Sequence, residues 1–91
     1  NDIIAMDKNT GTIIWSNKHL RYRNLAPPSV ANGYLLIGDY EGYLHILSED
    51  DGDFIGRIKV DSSGISAPLI VDGKIIYVLD NDGAVSAYEF L

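Results

Sequence analysis

The residue types that most often perform chemistry are few and scattered in this chain. It has no cysteine, and neither His19 nor His45 has a second histidine or cysteine at metal-ligand spacing. Residues 50–53 and 80–83 are rich in aspartate, but they lack the spaced ligands and the final glutamate of a calcium-binding EF-hand. Residues 62–64 do not fit the Gly-x-Ser-x-Gly pattern of a nucleophile elbow. We therefore predict no catalytic residue, no metal site and no cofactor, and we interpret the aspartate-rich segments as turns.

The net charge of the chain limits the kinds of molecule that it is expected to bind. Lysine and arginine number 7 against 13 aspartate and glutamate residues, which gives a formal net charge of −6 at pH 7. Nucleic-acid binding depends on basic side chains that neutralise phosphates, and polybasic segments hold proteins to anionic lipid. Neither kind of surface is expected here. A hydrophobic fraction of 46% nevertheless indicates a folded globular chain.

A repeat of 40–41 residues organises the sequence. Residues 5–15 align with residues 46–56 at an offset of 41, and the Asn32-Gly33 pair aligns with Asp72-Gly73 at an offset of 40. The chain therefore holds about two and a quarter copies of one unit.

Each unit is predicted to form four short strands. Runs of β-branched and other apolar residues alternate with glycine-containing turn signals. The Asn-Gly and Asp-Gly pairs favour two-residue type I′ hairpins, and no apolar period of 3.6 residues is sustained, so no substantial helix is predicted. The predicted strands are residues 2–7, 12–17, 28–31, 34–39, 43–48, 53–60, 68–71, 74–79 and 84–89.

Four strands in 40–41 residues are typical of a β-propeller blade. The predicted fold is therefore all-β, a fragment of a β-propeller with about two four-stranded antiparallel blades. Residues 1–17 are predicted to end one blade, residues 27–60 to form a complete blade, and residues 67–91 to form a last blade that lacks its outer strand. We expect this missing strand to mark the C-terminus of a longer parent. Open blade faces must then be covered by that parent or by self-association of the fragment.

Residues 5–15 carry the pattern Ala-x-Asp-x-x-Thr-Gly-x-x-x-Trp. Aspartate and threonine side chains bond turn amides, glycine adopts the left-handed conformation, and tryptophan can stack between blades. The pattern resembles the tryptophan-docking motif of the PQQ-like repeat, which implies a structural role in blade packing. The motif residues are Ala5, Asp7, Thr10, Gly11 and Trp15.

Two further segments point to a more specific resemblance. Residues 38–45 (GDYEGYLH) and 59–64 (KVDSSG) are followed by the turns at 72–74 and 82–83 at matching distances. Together they resemble the C-terminal blades of the BamB family, over roughly residues 15–90. The resemblance implies an eight-bladed propeller that is anchored by an N-terminal lipid at the periplasmic face of the outer membrane. It also implies a non-enzymatic scaffold that binds BamA-like periplasmic domains and nascent outer-membrane proteins.

The resemblance also directs attention to the loop at about residues 17–26. The family's partner loops connect the outer strand of one blade to the inner strand of the next, and this loop has the same place. The family's main contact loops belong to middle blades outside this sequence. Tyrosine and arginine are frequent interface anchors, and the alternative is a solvated loop. The candidate partner residues are Lys18, His19, Arg21, Tyr22 and Arg23.

Two other functions stay open at the level of sequence. A PQQ-dependent quinoprotein dehydrogenase shares the repeat, although the chain has no constellation that would perform its chemistry. A WD40-type interaction propeller ranks last, because the Gly-His and Trp-Asp repeat signature is absent.

Overall fold

The computed structural model describes residues 3–6, 9–10, 12–17 and 24–90. These residues form nine antiparallel strands and no helix, which confirms the all-β prediction. All nine predicted strands are present, each with its ends within two residues of the expected position. The strands are β1 (Ile3–Met6), β2 (Ile13–Asn17), β3 (Ser29–Ala31), β4 (Tyr34–Gly38), β5 (Tyr43–Ser48), β6 (Phe54–Lys59), β7 (Ile70–Asp72), β8 (Ile75–Leu79) and β9 (Val85–Glu89).

The strands form three separate sheets that follow one another along the chain. The first contains β1 and β2, the second contains β3 to β6 in chain order, and the third contains β7 to β9 in chain order. Every pair of neighbouring strands is antiparallel. The second sheet is thus a complete four-stranded meander with a partner sheet on each side.

Strand β4 shows why the second sheet is the centre of the molecule. Its consecutive residues Leu35, Leu36 and Ile37 are all buried, although successive side chains of a strand point to opposite faces. Leu35 and Ile37 pack with Leu47 against the first sheet, while Leu36 packs with Leu44 against the third sheet. A strand with both faces covered needs an uninterrupted apolar run, and β4 supplies one.

One of the two inner hairpins agrees with the expectation and the other differs from it. Asn32 and Gly33 both have positive φ angles, 54° and 82°, as a type I′ turn requires. In the other hairpin Asp72 pairs with Ile75, so Gly73 and Lys74 are the central residues, and of the two only Gly73 has a positive φ. The prediction of a type I′ turn at Asp72-Gly73 was wrong, because a glycine in the first central position favours type II′. Asp72 is a strand residue, and the strand repeat is therefore 41 residues here.

The third sheet leaves one apolar face uncovered within the described part of the chain. Ile70 and Val85 are each 67% exposed and Leu79 is 46% exposed, all on the side away from the second sheet. The opposite side, with Val71, Ile76 and Val78, packs into the core shared with the second sheet. Among the described residues, no helix is long and apolar enough to cross a membrane.

Candidate functional site

Two equivalent turns dominate one end of the sheets. Residues 39–42 join β4 to β5, and residues 80–84, which contain the turn at 80–83, join β8 to β9. Each turn begins with a buried aspartate whose Oδ1 accepts two backbone N–H bonds from its own turn. Asp39 accepts from Glu41 and Tyr43 at 2.9 and 3.0 Å, and Asp80 accepts from Asp82 and Ala84, both at 3.0 Å. Both carboxylates therefore act as caps that hold their turns closed.

Only the aspartate of the first turn is paired with a buried histidine, His45 of β5. The Oδ2 atom of Asp39 lies 2.6 Å from Nε2 of His45, and both side chains are at most 1% exposed. The other ring nitrogen, Nδ1, is buried without a hydrogen-bond partner in the described structure. One repeat later the corresponding residue is Ser86, so the histidine is particular to the complete blade. Sequence reasoning treated His45 as isolated, because its partner is a carboxylate across a turn.

The loop at residues 60–67 joins the two turns to each other. The N–H of Ile65 donates to the carbonyl of Asp39 at 2.8 Å, and the carbonyl of Gly64 accepts from the N–H of Asn81 at 2.9 Å. The side chain of Asn81 accepts from Ser66 Oγ at 2.5 Å and donates to the carbonyl of Ser63 at 3.1 Å. Turns and connecting loop thus form one hydrogen-bonded face across two blades.

Asp61 lies near the start of this connecting loop, and the pKa of its carboxyl group is lowered. The hydroxyl and then the backbone N–H of Ser63 donate to it, and these bonds hold the pKa of Asp61 below its usual value of 3.8. Desolvation acts in the opposite direction but is the smaller effect. The ionised form of Asp61 is therefore favoured by folding.

This shift predicts a dependence of loop stability on acid. Because the pKa is lower in the folded chain, the contribution of Asp61 is fully present above about pH 4 and is lost as pH falls through the folded value. Ser63→Ala should therefore reduce the change in the free energy of unfolding over this pH range, as measured by urea unfolding between pH 2 and pH 6. Exposed Ser62→Ala is the matched control and should leave this pH dependence unchanged. If the free energy of unfolding of Ser63→Ala varied with pH as in the unsubstituted chain, the bond from Ser63 would not be the cause of the lowered pKa of Asp61.

A basic and aromatic cluster lies on the outer half of the same blade. Arg57 and Lys59 of β6 both lie over the ring of Tyr43, with Arg57 Cζ at 4.9 Å and Lys59 Nζ at 4.5 Å from its centroid. Lys59 Nζ also donates to the carbonyl of Glu41 at 2.6 Å, which connects the cluster to the turn at 39–42. Sequence reasoning missed this cluster, and the cross-strand pairing of Tyr43 with Lys59 is the feature that creates it.

The sequence-predicted residues are only partly within the described structure. Lys18, His19, Arg21, Tyr22 and Arg23 all lie outside it. The residue after them, Asn24, has its carbonyl bonded to the N–H of Tyr40 at 2.9 Å, so the end of that loop is attached to the turn at 39–42. The expectation of a partner contact there stays a prediction.

The tryptophan motif is also described in part. Trp15 Nε1 donates to the carbonyl of Glu49, in the turn between β5 and β6, at 2.8 Å, and its ring lies against Gly52 of the same turn. Thr10 Oγ1 accepts from the N–H of Thr12 at 3.2 Å, and Ala5 pairs with Trp15 across β1 and β2. Asp7 and Gly11 lie outside the described residues. The first sheet is therefore joined to the second through the tryptophan.

A four-stranded antiparallel meander that is packed on both faces by sheets of the same repeat is the arrangement of neighbouring blades in a β-propeller. All 91 residues match the family profile described as outer membrane protein assembly factor BamB. The chain belongs to this family. Among the described residues, no group of three or more histidine, aspartate or glutamate side chains is placed to hold a metal ion.

Individual relatives agree with this assignment. The chain is 45% identical to BamB of Shewanella oneidensis over 85 residues and 44% identical to that of Yersinia pestis over 87 residues. These matches cover 92% and 94% of this chain, but only 21% and 22% of the relatives. The crystal structure of BamB from Moraxella catarrhalis superposes with a TM-score of 0.88 at 31% identity, over 99% of this chain and 27% of that one. The chain thus spans about a fifth of the length of its curated relatives.

Proposed function

We propose that this chain forms part of a non-enzymatic scaffold for the assembly of outer-membrane proteins. The supporting observation is the family match over all 91 residues, together with relatives that carry the name of assembly factor. Since the matched segment is about a fifth of those relatives, the activity belongs to a longer propeller. The segment would supply a rigid, fully packed blade and the face of loops beside it.

The partners we propose are BamA-like periplasmic domains and nascent outer-membrane proteins. The location that suits them is the periplasmic face of the outer membrane, with a lipid anchor on the longer protein. The loop containing Arg21, Tyr22 and Arg23 is our proposed contact, because Asn24 attaches its end to a turn that is itself fixed by Asp39. A loop with a fixed end loses less conformational entropy when it binds.

The uncovered face of the third sheet fits the same proposal. Ile70, Leu79 and Val85 form an apolar surface like the inter-blade surfaces of the second sheet. We propose that a further blade of the longer protein covers it. Without that blade the surface favours self-association of the chain.

A chimera tests the assembly function. This chain would replace the 84 matched residues of the Escherichia coli relative, with which it is 39% identical. In a strain that lacks its own BamB, we expect the chimera to restore the amounts of outer-membrane β-barrel proteins measured by quantitative immunoblotting. The intact E. coli protein and an empty vector define the two limits. A chimera that accumulates normally and restores nothing would reject the proposal.

A variant of the same chimera tests the loop separately. Arg21, Tyr22 and Arg23 would be replaced by alanine, and copurification with BamA would be measured. Unchanged copurification would reject the loop as a contact and leave the scaffold role standing.

A further inference from the structure

The described part of the chain has a strongly one-sided charge. It contains eleven aspartate and glutamate residues but only three lysine and arginine residues, Arg57, Lys59 and Lys74. Two of these three stand two residues apart on one face of β6, and both are exposed. Like charges side by side on a sheet repel each other, so this placement needs a reason.

Neither cation of the pair is neutralised within the described structure. Neither Arg57 nor Lys59 lies within ion-pair distance of a carboxylate there, despite the acidic surroundings. Their positions are instead fixed by the ring of Tyr43, over which both are held, and by the bond from Lys59 to the Glu41 carbonyl. A positive charge over an aromatic face is attracted by the ring but keeps its capacity to bind an anion. The pair is therefore oriented and available.

The strand that carries the pair also has an open edge. β6 is the outermost strand of its sheet, and on its outer side it has no strand partner among the described residues. Exposed strand edges are the surfaces to which extended peptide segments add as a further strand. Residues two apart on a strand are separated by about 7 Å and point to the same side, in the added strand as in β6.

We infer that the outer edge of β6 binds an extended segment of another protein whose carboxylates lie two residues apart. The backbone of the segment would pair with β6, and its two carboxylates would meet Arg57 and Lys59. Opposite charges on neighbouring strands stabilise such pairing, and arginine can bind a carboxylate through two parallel bonds. This inference goes beyond the assembly function, because it requires only the acidic strand, whichever protein carries it.

A synthetic nine-residue peptide in which valine alternates with aspartate tests the inference. Its binding to the purified full-length chimera would be measured by fluorescence anisotropy. We expect saturable binding that weakens at high salt, and a loss of affinity of about tenfold or more in the double variant Arg57→Gln/Lys59→Gln. Lys74→Gln is the matched control, because Lys74 is also an exposed cation but belongs to a hairpin turn. Thermal unfolding would verify that each variant is folded.

Several results would overturn the inference. One is equal binding of a peptide with asparagine in place of aspartate, and another is an equal loss of affinity in Lys74→Gln. A third is binding of inorganic phosphate or phosphatidylglycerol vesicles, but not of the peptide, to the pair. A fourth is absence of peptide binding with self-association of the double variant, since the cations would then serve only to protect the edge. Peptide binding does not depend on restored assembly in cells, so the two proposals can fail separately.

Discussion

Replacing Gly42 by alanine is expected to destabilise the chain by about 3 kcal/mol or more. Gly42 has a φ of 93°, where a side chain costs about 1–2 kcal/mol in backbone strain. In addition, a Cβ atom at this position would collide with the backbone carbonyl of Asp61, which cannot rotate away as a side chain would. The loop at 60–67 would therefore have to move. Such a movement would disturb the hydrogen bond in which the N–H of Val60 donates to the Gly42 carbonyl at 2.8 Å.

The equivalent glycine of the next blade is the natural control. Gly83 has the same place in its turn and a φ of 87°, but nothing lies within 4 Å of the Cβ position. Gly83→Ala should therefore cost only the backbone strain, about 1–2 kcal/mol. Urea unfolding of both variants measures the difference. Equal destabilisation by the two substitutions would show that the contact between turn and loop contributes nothing.

This comparison also explains how the loop face is constructed. The turn at 39–42 and the loop at 60–67 approach so closely at Asp61 that only glycine fits between them. The turn at 80–83 instead contacts the same loop through the side chain and backbone N–H of Asn81 and through the N–H of Asp82. The same local turn therefore contacts this loop in two ways, by close backbone approach at Asp61 and by hydrogen bonds at residues 63–66.

The strands were predictable because each one is encoded locally. β4 and β8 are apolar runs of suitable length, and glycine-containing turns punctuate both ends of each. Such signals depend on residues close in sequence, and they placed every strand end within two residues. The hairpin at Gly73 failed for a specific reason. Both an Asp-Gly pair and a Gly-Lys pair can form its centre, and only the pairing of β7 with β8 decides between them.

The site residues were less predictable because they depend on pairing between strands. His45 contacts Asp39 across a turn. Lys59 contacts Tyr43 on the neighbouring strand, sixteen positions earlier in the sequence. A shift of one residue in register would turn each side chain to the opposite face. The sequence alone shows an isolated histidine and two cations two residues apart, whereas the register places the histidine beside Asp39 and both cations over Tyr43.

Replacing Asp39 by alanine is expected to be the most damaging change to the loop face. It removes the acceptor of the Glu41 and Tyr43 N–H groups and the partner of His45, whichever of the paired atoms carries the proton. Each buried group left without a partner costs about 1–3 kcal/mol, so we expect a loss of about 4 kcal/mol. Asp80→Ala removes the equivalent two turn bonds but no histidine, and should cost about 2–3 kcal/mol.

A double-mutant cycle separates the histidine pair from the turn. His45→Leu fills the buried position with an apolar side chain of similar bulk, but it leaves Asp39 Oδ2 buried without this partner. In Asp39→Ala/His45→Leu both partners are removed, so no group of the pair stays buried without a hydrogen bond. The double variant should therefore be about 1–3 kcal/mol more stable than the sum of the single effects predicts. Urea unfolding of the four proteins gives this coupling. A coupling near zero would mean that Asp39 acts through its turn amides alone, and Asp39→Ala should then cost no more than Asp80→Ala.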